Sequence, residues 1–211
     1  MGGPLGKTKI GVLASGGGTN LQAIIDACVR GEIKGEVAVV ISDKSDAFAL
    51  ERARRKDIPA IHIPPKGLKR EEHEKLVDEA LSKHGADLVA LAGYMRILTP
   101  WLIKKYYGRM MNVHPALLPS FGGEGMYGEH VHEAVLKHGC KISGCTVHFV
   151  STEVDGGPII LQESVPVLEN DTPVTLANRI HPTEYRLYTK AVALYAARKL
   201  KIEGRIVRIL D

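Results

Sequence analysis

Residues 9–25 read KIGVLASGGGTNLQAII, and this stretch decides the fold. The apolar run Lys9–Ala14 predicts a β-strand, and Asn20–Arg30 has the spacing of apolar residues that is typical of a helix. Three consecutive glycines within Ser15–Asn20 let the backbone turn sharply between the two elements. A strand, a glycine turn and a helix in this order are the first unit of an α/β fold.

The same alternation of short strands and longer helices continues through the first half of the chain. Strands are predicted over Glu36–Ser42, Ala60–Ile63, Asp87–Ala92 and Arg109–Val113, and helices over Ala47–Lys56, Glu71–His84 and Pro100–Tyr106. Asp87–Ala92 is almost wholly apolar, as a strand buried on both faces should be. We therefore expect a doubly wound, mostly parallel sheet with helices on both faces.

The C-terminal third has a different pattern. The segment Gly122–Gly128 contains four glycines and is long enough to be a functional loop. A long helix from Asp171 to about Leu200 is expected to break or kink at Pro182. The other predicted elements are a helix over His130–Lys137 and an antiparallel pair of strands, Ser143–Val150 and Pro158–Val167, separated by the turn Val154–Gly157. Met1–Gly6 is expected to be a flexible leader, and residues 7–211 a single domain.

The composition excludes several classes of protein. The chain has 211 residues, a formal net charge of +4 and 45% hydrophobic residues, as an ordinary globular domain has. The small excess of positive charge is spread along the chain, so it does not indicate a nucleic-acid partner. No apolar stretch approaches the roughly 20 residues of a membrane span. With only three cysteines and no signal peptide, we expect a reduced, cytoplasmic protein.

A group of histidines and cysteines follows the glycine-rich loop. Its spacings, H-x-H and C-x4-C, do not match the two close pairs of ligands that a structural zinc site uses. We therefore predict no metal and expect these side chains to be a mixture of surface and core residues. They are His130, His132, His138, Cys140 and Cys145.

The glycine turn Ser15–Asn20 is a candidate anion site. The free N–H groups and partial positive charge of a helix N-terminus attract phosphate, and glycines allow close approach of the backbone. A tight turn with a capping box of Thr19 and Gln22 is a structural alternative that can hold at the same time. No lysine follows the glycines as in a Walker loop, and Leu21 stands where a dinucleotide fingerprint has its third glycine. Asp43, after the second strand, leaves the dinucleotide alternative open.

The sequence Asn112-Val113-His114-Pro115 ends a predicted strand. Residues i and i+2 of a strand share a face, so Asn112 and His114 should point into one cleft at the carboxyl edge of the sheet, where open α/β folds bind ligands. An amide that donates to an oxyanion beside an imidazole suits acyl transfer. This short motif also fits an ordinary core or surface histidine. Asp155 is either a turn residue or a carboxylate that orients His114 and favours its protonated form.

Five segments together carry a family resemblance. With SGGGTNLQAI, LAGYMRIL, NVHPALLPSF, GCTVHFV and VDGGPIILQ in this order, the chain resembles the 10-formyltetrahydrofolate-dependent formyltransferases from roughly Lys9 to Leu200. The glycine loop followed by Thr-Asn-Leu-Gln is similar to the branch that acts on glycinamide ribonucleotide. The resemblance implies a Rossmann-like formyltransferase fold. It also implies that a formyl group moves from 10-formyltetrahydrofolate, a cosubstrate, to the amine of 5′-phosphoribosylglycinamide in purine (IMP) biosynthesis.

The resemblance also implies roles for individual residues. The catalytic residues would be Asn112, His114 and Asp155. The ribonucleotide would contact Gly18, Thr19, Asn20, His181 and Glu184, and the folate would contact Arg70, Met95, Arg96, Ile97, Leu98 and Asn112. The chain departs from the family at Gly122, where a proline is usual, and its loop over residues 123–128 is longer than is common.

The partners that the resemblance implies are small-molecule substrates, with no metal, nucleic acid or membrane, and the protein would be a monomer or homodimer. A formyltetrahydrofolate hydrolase would carry an additional N-terminal regulatory domain, and a methionyl-tRNA formyltransferase an additional C-terminal RNA-binding domain. We expect neither in this chain. A nicotinamide-dependent oxidoreductase or a nucleotide-binding sensor would use the first glycine loop but would leave Asn112, His114 and Asp155 unexplained.

Overall fold

The computed structural model describes residues 6–211. Residues 1–5 of the expected leader lie outside the described residues. The strands are β1 (Thr8–Leu13), β2 (Gly35–Ser42), β3 (Ala60–His62), β4 (Leu88–Leu91), β5 (Met110–His114), β6 (Ile142–Phe149), β7 (Ile159–Pro166), β8 (Leu200–Glu203) and β9 (Ile206–Ile209). The helices are α1 (Thr19–Val29), α2 (Phe48–Arg54), α3 (Arg70–Lys83), α4 (Pro100–Lys105), α5 (Glu129–Lys137) and α6 (Pro173–Ala196).

The strands form one sheet in the order β3-β2-β1-β4-β5-β6-β7-β9-β8. The pairs from β3 to β5 are all parallel, whereas β6 is antiparallel to both β5 and β7. The order reverses between β1 and β4, so the chain is doubly wound, as the sequence predicted. The antiparallel element in the C-terminal third is also confirmed.

Helices cover both faces of the sheet. The cluster that includes Leu21, Leu50 and Tyr188 packs α1, α2 and α6 on one face, and α5 joins them there. A second cluster, with Val77 and Leu102, packs α3 and α4 on the other face. Consecutive residues of a strand point to opposite faces, which is why parallel strands buried on both sides are apolar throughout.

Helix α6 corrects one prediction from sequence. It runs without a break from Pro173 to Ala196 with Pro182 inside it. Buried side chains on both sides of the proline, including Ile180 and Leu187, pack on the sheet, and this packing outweighs the lost backbone hydrogen bond. The predicted end near Leu200 is also wrong, because Leu200 begins the hairpin of β8 and β9, two strands that the sequence prediction missed.

The start of α1 corrects a second prediction. Gly18 is the N-cap residue with φ 69°, and Thr19 is already helical, so the proposed capping box is not formed. The Gln22 side chain instead donates to Asp26 Oδ1 at 2.9 Å. A Cβ on Gly18 would lie 2.8 Å from Ala49 Cβ, which is too close for two carbon atoms. Glycine is therefore required here both by the left-handed backbone and by the contact with α2.

Candidate active site

A cavity of about 820 Å³ opens at the carboxyl ends of β1, β4 and β5. This is the edge at which open α/β sheets bind ligands. Its wall is built from the start of α1, the segment after β4, the end of β5, the loop before α5, the loop between β6 and β7, and the N-terminal half of α6. Thr19, Asn20, Asn112, His114, Asp155, His181 and Glu184 all line it, as do Met95, Arg96, Ile97 and Leu98.

Asn112 and His114 share one face of β5. In the antiparallel register, Asn112 is opposite His148 and His114 is opposite Thr146, so these four side chains point to the same side of the sheet. The Asn112 amide Nδ2 lies 3.3 Å from His148 Nε2. His148 Nδ1 lies 3.0 Å from the carbonyl oxygen of Phe149, to which it donates. Nε2 of His148 is therefore the acceptor for the Asn112 amide, and the second N–H of that amide is left for a ligand.

Asp155 lies between two imidazoles. It stands in the loop between β6 and β7 with a positive φ of 54°. One carboxylate oxygen, Oδ2, is 3.5 Å from His114 Nδ1, and the other, Oδ1, is 3.7 Å from His148 Nε2. The backbone N–H of Gly123 donates to Oδ2 at 3.0 Å. The carboxylate is thus held by the glycine-rich loop next to Nδ1 of His114.

The two imidazoles differ in their hydrogen bonds. Nε2 of His114 donates to the carbonyl oxygen of Phe121 at 2.7 Å, so in the neutral ring it is Nδ1, facing Asp155, that carries the free lone pair. Burial lowers the pKa of His148, although the nearby Asp155 acts in the opposite direction. Burial therefore favours the neutral form of His148, which can accept from Asn112, whereas Nδ1 of His114 faces the carboxylate of Asp155.

Gly122 allows the glycine-rich loop to approach Asp155. A Cβ at this position would lie 2.5 Å from Leu118 Cδ2 and 3.2 Å from Asp155 Cβ. Phe121 and Gly123 on either side provide the carbonyl and the amide that bind His114 and Asp155. Glycine at position 122 therefore lets this turn pack directly on Asp155.

One end of the cavity combines Asn20 with Glu184. Burial raises the pKa of Glu184 to about 7, and the Asn20 side chain acts in the opposite direction. The Oδ1 atom of Asn20 is buried and, among the described residues, has no hydrogen-bond partner. An unsatisfied buried acceptor beside a carboxyl that is partly protonated near neutral pH suits a ligand rich in hydroxyl groups.

Two further histidines line the same part of the cavity. Burial lowers the pKa of His181, and burial together with the charges of His181 and His114 lowers the pKa of His132 to about 4. Burial therefore favours the neutral form of both side chains. His132 is only 3% exposed. From sequence, His130 and His132 are expected to belong to a mixture of surface and core residues. Their H-x-H spacing does not reveal that His132 lines the cavity.

The segment after β4 forms a more apolar wall. Met95 and Ile97 are 50% and 41% exposed, and they line the cavity together with Arg96 and Leu98. Two of the expected contact residues lie elsewhere. Gly18 is buried behind the loop against Ala49, and Arg70 is exposed at the start of α3, outside the residues that line the cavity.

His148 is a site residue that the sequence prediction missed. The segment GCTVHFV was part of the family resemblance, but nothing in a single strand shows which residue it pairs with. The alternation of Thr146 and His148 indicates only that the two share a face. Their place opposite Asn112 and His114 follows from the antiparallel register of β5 and β6.

No cluster of metal ligands is found in residues 6–211, where no three His, Cys, Asp or Glu side chains come together in a way that would hold an ion. All three cysteines, Cys28, Cys140 and Cys145, are free thiols. No helix in the part of the chain that the structure describes is both long enough and apolar enough to cross a membrane.

Comparison with known proteins gives the family. The family described as formyl transferase matches residues 8–192. The chain belongs to the formyl transferase family. The resemblance found in the sequence is thereby confirmed, and this formyl transferase places its Asn112, His114 and Asp155 in one cavity.

Individual relatives are similar over nearly the whole chain. The phosphoribosylglycinamide formyltransferase of Escherichia coli (strain K12) is 41% identical, over 92% of this chain and 90% of its own length. The crystal structure of glycinamide ribonucleotide transformylase 1 from Symbiobacterium toebii is 50% identical, with a TM-score of 0.94, and the match covers 99% of this chain and 96% of that one.

A relative with a different name shares the fold. The structure of a formyltetrahydrofolate deformylase from Pseudomonas syringae pv. tomato str. DC3000 is 26% identical, with a TM-score of 0.88. The match covers 97% of this chain but 66% of that chain. Transfer and hydrolysis of a formyl group are therefore both represented among proteins of this architecture.

Proposed function

We propose that this protein transfers a formyl group from 10-formyltetrahydrofolate to the amine of 5′-phosphoribosylglycinamide. The products are formylglycinamide ribonucleotide and tetrahydrofolate, in purine biosynthesis. The observation that carries the proposal is one cavity in which Asn112, His114 and Asp155 lie together with both a polar and an apolar wall. The high similarity to relatives named for this activity supports the same choice.

The polar wall suits the ribonucleotide. The first N–H groups of α1, at Thr19 and Asn20, have no acceptor within the helix and can donate to a phosphate. Glu184 and His181 are one turn apart on α6 and suit the ribose hydroxyls, with the unsatisfied Oδ1 of Asn20 as a further acceptor. Gly18 contributes by shaping this turn.

The apolar wall suits the pterin of the formyl donor. Met95, Ile97 and Leu98 provide apolar surface, while the backbone of this irregular segment offers polar groups for the pterin edge. We assign the folate to this side and propose that its tail extends beyond the lining residues towards Arg70, whose positive charge would attract carboxylates. The donor is a cosubstrate that each turnover consumes, and the proposal needs no metal.

Asn112 and His114 carry out the transfer. The amine nitrogen attacks the formyl carbon and forms a C–N bond, which gives a tetrahedral oxyanion, and the bond to the folate nitrogen then breaks. The free N–H of the Asn112 amide donates to the oxyanion, because its other N–H is held by His148. Nδ1 of His114 accepts the proton of the attacking nitrogen and returns it to the leaving nitrogen. Asp155 stabilises the imidazolium between these steps.

The remaining properties follow the same proposal. Residues 7–211 act as one formyltransferase domain around a single sheet. Three free thiols agree with a reducing cytoplasm, and the proposed partners are small-molecule substrates, with the protein a monomer or homodimer.

The deciding experiment is a formyl-transfer assay. Purified protein is mixed with 10-formyltetrahydrofolate, with and without the ribonucleotide, and both formylglycinamide ribonucleotide and free formate are measured. Formylated ribonucleotide and tetrahydrofolate in equal amounts support transfer. Formate release independent of ribonucleotide supports hydrolysis, the second candidate that the deformylase structure provides. Thermal shift adds a binding test, since the ribonucleotide or a folate analogue should stabilise the protein and NAD should not.

A further inference from the structure

Asp43 is a buried carboxylate that the proposed chemistry does not use. It follows β2, is 6% exposed, and its Oδ1 accepts a hydrogen bond from the hydroxyl of Ser15 at 2.6 Å. A carboxylate can only accept, so the single hydroxyl proton of Ser15 is directed at Asp43. The lone pairs of the Ser15 oxygen are thereby left for a donor from elsewhere.

That donor is the backbone of the apolar wall. The N–H of Met95 donates to the Ser15 oxygen at 2.9 Å, and the N–H of Ser15 itself donates to the carbonyl of Gly93 at 3.0 Å. Ser15 therefore binds the segment after β4 at two points, although it lies at the end of β1. Asp43, Ser15 and Met95 form a continuous chain of hydrogen bonds across three strand ends.

The segment is fixed at its other end by a second buried carboxylate. Glu74 on α3 is 2% exposed and accepts from the N–H of Thr99 at 2.7 Å and from the Thr99 hydroxyl. Residues 93–98 have no regular secondary structure. Side chains outside the segment, rather than a ladder of backbone bonds, therefore hold it in place.

We infer that Ser15 and Asp43 are positioning residues for the formyl donor: Asp43 orients the Ser15 hydroxyl, which fixes the backbone of Met95 in the donor's wall. The identity of the donor rests on the proposed function. Although Ser15 immediately precedes the glycine loop, its side chain acts on the folate side of the cavity.

The test compares four single variants and one double variant. Ser15→Ala removes the acceptor for Met95, and Asp43→Ala removes the group that orients it, so both should raise the KM for 10-formyltetrahydrofolate about tenfold, the scale of one lost hydrogen bond. Asp43→Asn keeps a side-chain oxygen that accepts from Ser15, and should stay within about twofold of the wild type. Ser42→Ala is the matched control, because the hydroxyl of Ser42 only accepts from the N–H of Lys44, at 3.0 Å.

The KM values for the two substrates show whether Ser15 and Asp43 position the wall at Met95 or act in the phosphate loop. For Ser15→Ala and Asp43→Ala, the KM for the ribonucleotide should change much less than the KM for the formyl donor. The double variant, which combines Ser15→Ala with Asp43→Ala, should have a KM for the formyl donor little higher than that of Ser15→Ala alone, because Ser15 and Asp43 belong to one chain of hydrogen bonds. A ribonucleotide KM raised as much as the folate KM would assign Ser15 to the phosphate loop and overturn the inference. An unchanged folate KM in an active Ser15→Ala protein would overturn it as well.

Hydrogen exchange gives a readout that does not depend on activity. The amide of Met95 should exchange at least about tenfold faster in Ser15→Ala and Asp43→Ala than in the wild type or Asp43→Asn. Equal exchange in all of these proteins would contradict the contact itself. If the wild type transfers no formyl group but Met95 responds in this way, the proposed function fails while the positioning of the wall stands.

Discussion

The carboxylate of Asp155 lies 3.5 Å from Nδ1 of His114 and belongs to a loop that the glycine-rich segment holds in place. Neither residue reaches this arrangement through its own strand alone. His114 ends β5, while Asp155 is brought back over it by the loop between β6 and β7. The pair therefore depends both on the loop between β5 and α5, which binds Asp155 through the N–H of Gly123, and on the loop between β6 and β7, which carries Asp155.

Gly122→Ala should reduce kcat while folding is retained. The added Cβ would lie 3.2 Å from Asp155 Cβ and closer still to Leu118, so the turn must shift and carry the carboxylate with it. A displacement of about 1 Å near the reacting groups can cost about a hundredfold in rate. We expect a loss of tenfold or more in kcat, with a smaller change in the ribonucleotide KM. A normal kcat would show that the loop does not set the position of Asp155.

The glycine loop should bind phosphate through its backbone. The space beside Gly17 is open, so a side chain placed there would occupy the region in front of the α1 N-terminus. Gly17→Val should raise the ribonucleotide KM about tenfold or more and leave the folate KM nearly unchanged. Gly18→Ala is the contrast, because its Cβ meets Ala49 and should lower the melting temperature instead. Equal effects of Gly17→Val on both substrates would place the phosphate elsewhere.

Glu184 should make stability depend on pH. Its pKa is raised from 4.5 to about 7, so the folded chain binds this proton more tightly than the unfolded chain. The resulting stabilisation is complete below pH 4.5 and is lost as the pH rises to about 7, a difference of about 3 kcal/mol. Glu184→Gln replaces the carboxyl by an amide that is uncharged at every pH, so this variant does not lose that stability as the pH rises.

The measurement is the melting temperature of both proteins at pH 5 and pH 8. Relative to the wild type, Glu184→Gln should become more stable as the pH rises. Glu79→Gln, on the exposed side of α3, is the control and should show no such trend. If the difference in melting temperature between Glu184→Gln and the wild type is the same at both pH values, ionisation of the Glu184 carboxyl does not destabilise the folded protein.

The loop Gly122–Gly128 should become ordered when a folate analogue binds. Gly123, Gly125 and Gly128 have positive φ values that glycine adopts without strain, so the loop can reach several conformations. Hydrogen exchange should show increased protection of residues 122–128 with the analogue and little change in α3. Unchanged exchange in the loop would leave it as a passive surface insertion.

The sequence predicted a helix, strand or turn well where a single local feature of the sequence determines it. The apolar run of β4 and the glycine turn before α1 each specify their structure within a few residues, and the alternation of elements gave the parallel sheet. The expected break at Pro182 was wrong because the cost of a proline is local, whereas the packing of Ile180 and Leu187 that keeps α6 continuous through it is tertiary.

The candidate site was predicted only in part, because some of its contacts are local to one strand and others are tertiary. Asn112 and His114 lie on one strand, so their common direction could be inferred from spacing alone. His148 and the bond between Ser15 and Met95 could not, because they depend on which strands are neighbours in the sheet. The position of Asp43 after β2 left the dinucleotide alternative open, whereas in the structure its side chain accepts from the hydroxyl of Ser15.

The most direct test of the central claim is kcat against pH for Asp155→Asn, His114→Ala and the double variant. Each single change should lower kcat by at least about two orders of magnitude, since general acid–base catalysis contributes on that scale. Because the carboxylate acts through the imidazole, the double variant should lose little more than either single variant, and substrate KM values should change little. Strictly additive losses, or a nearly normal kcat for Asp155→Asn, would contradict the role of the His114–Asp155 pair in formyl transfer.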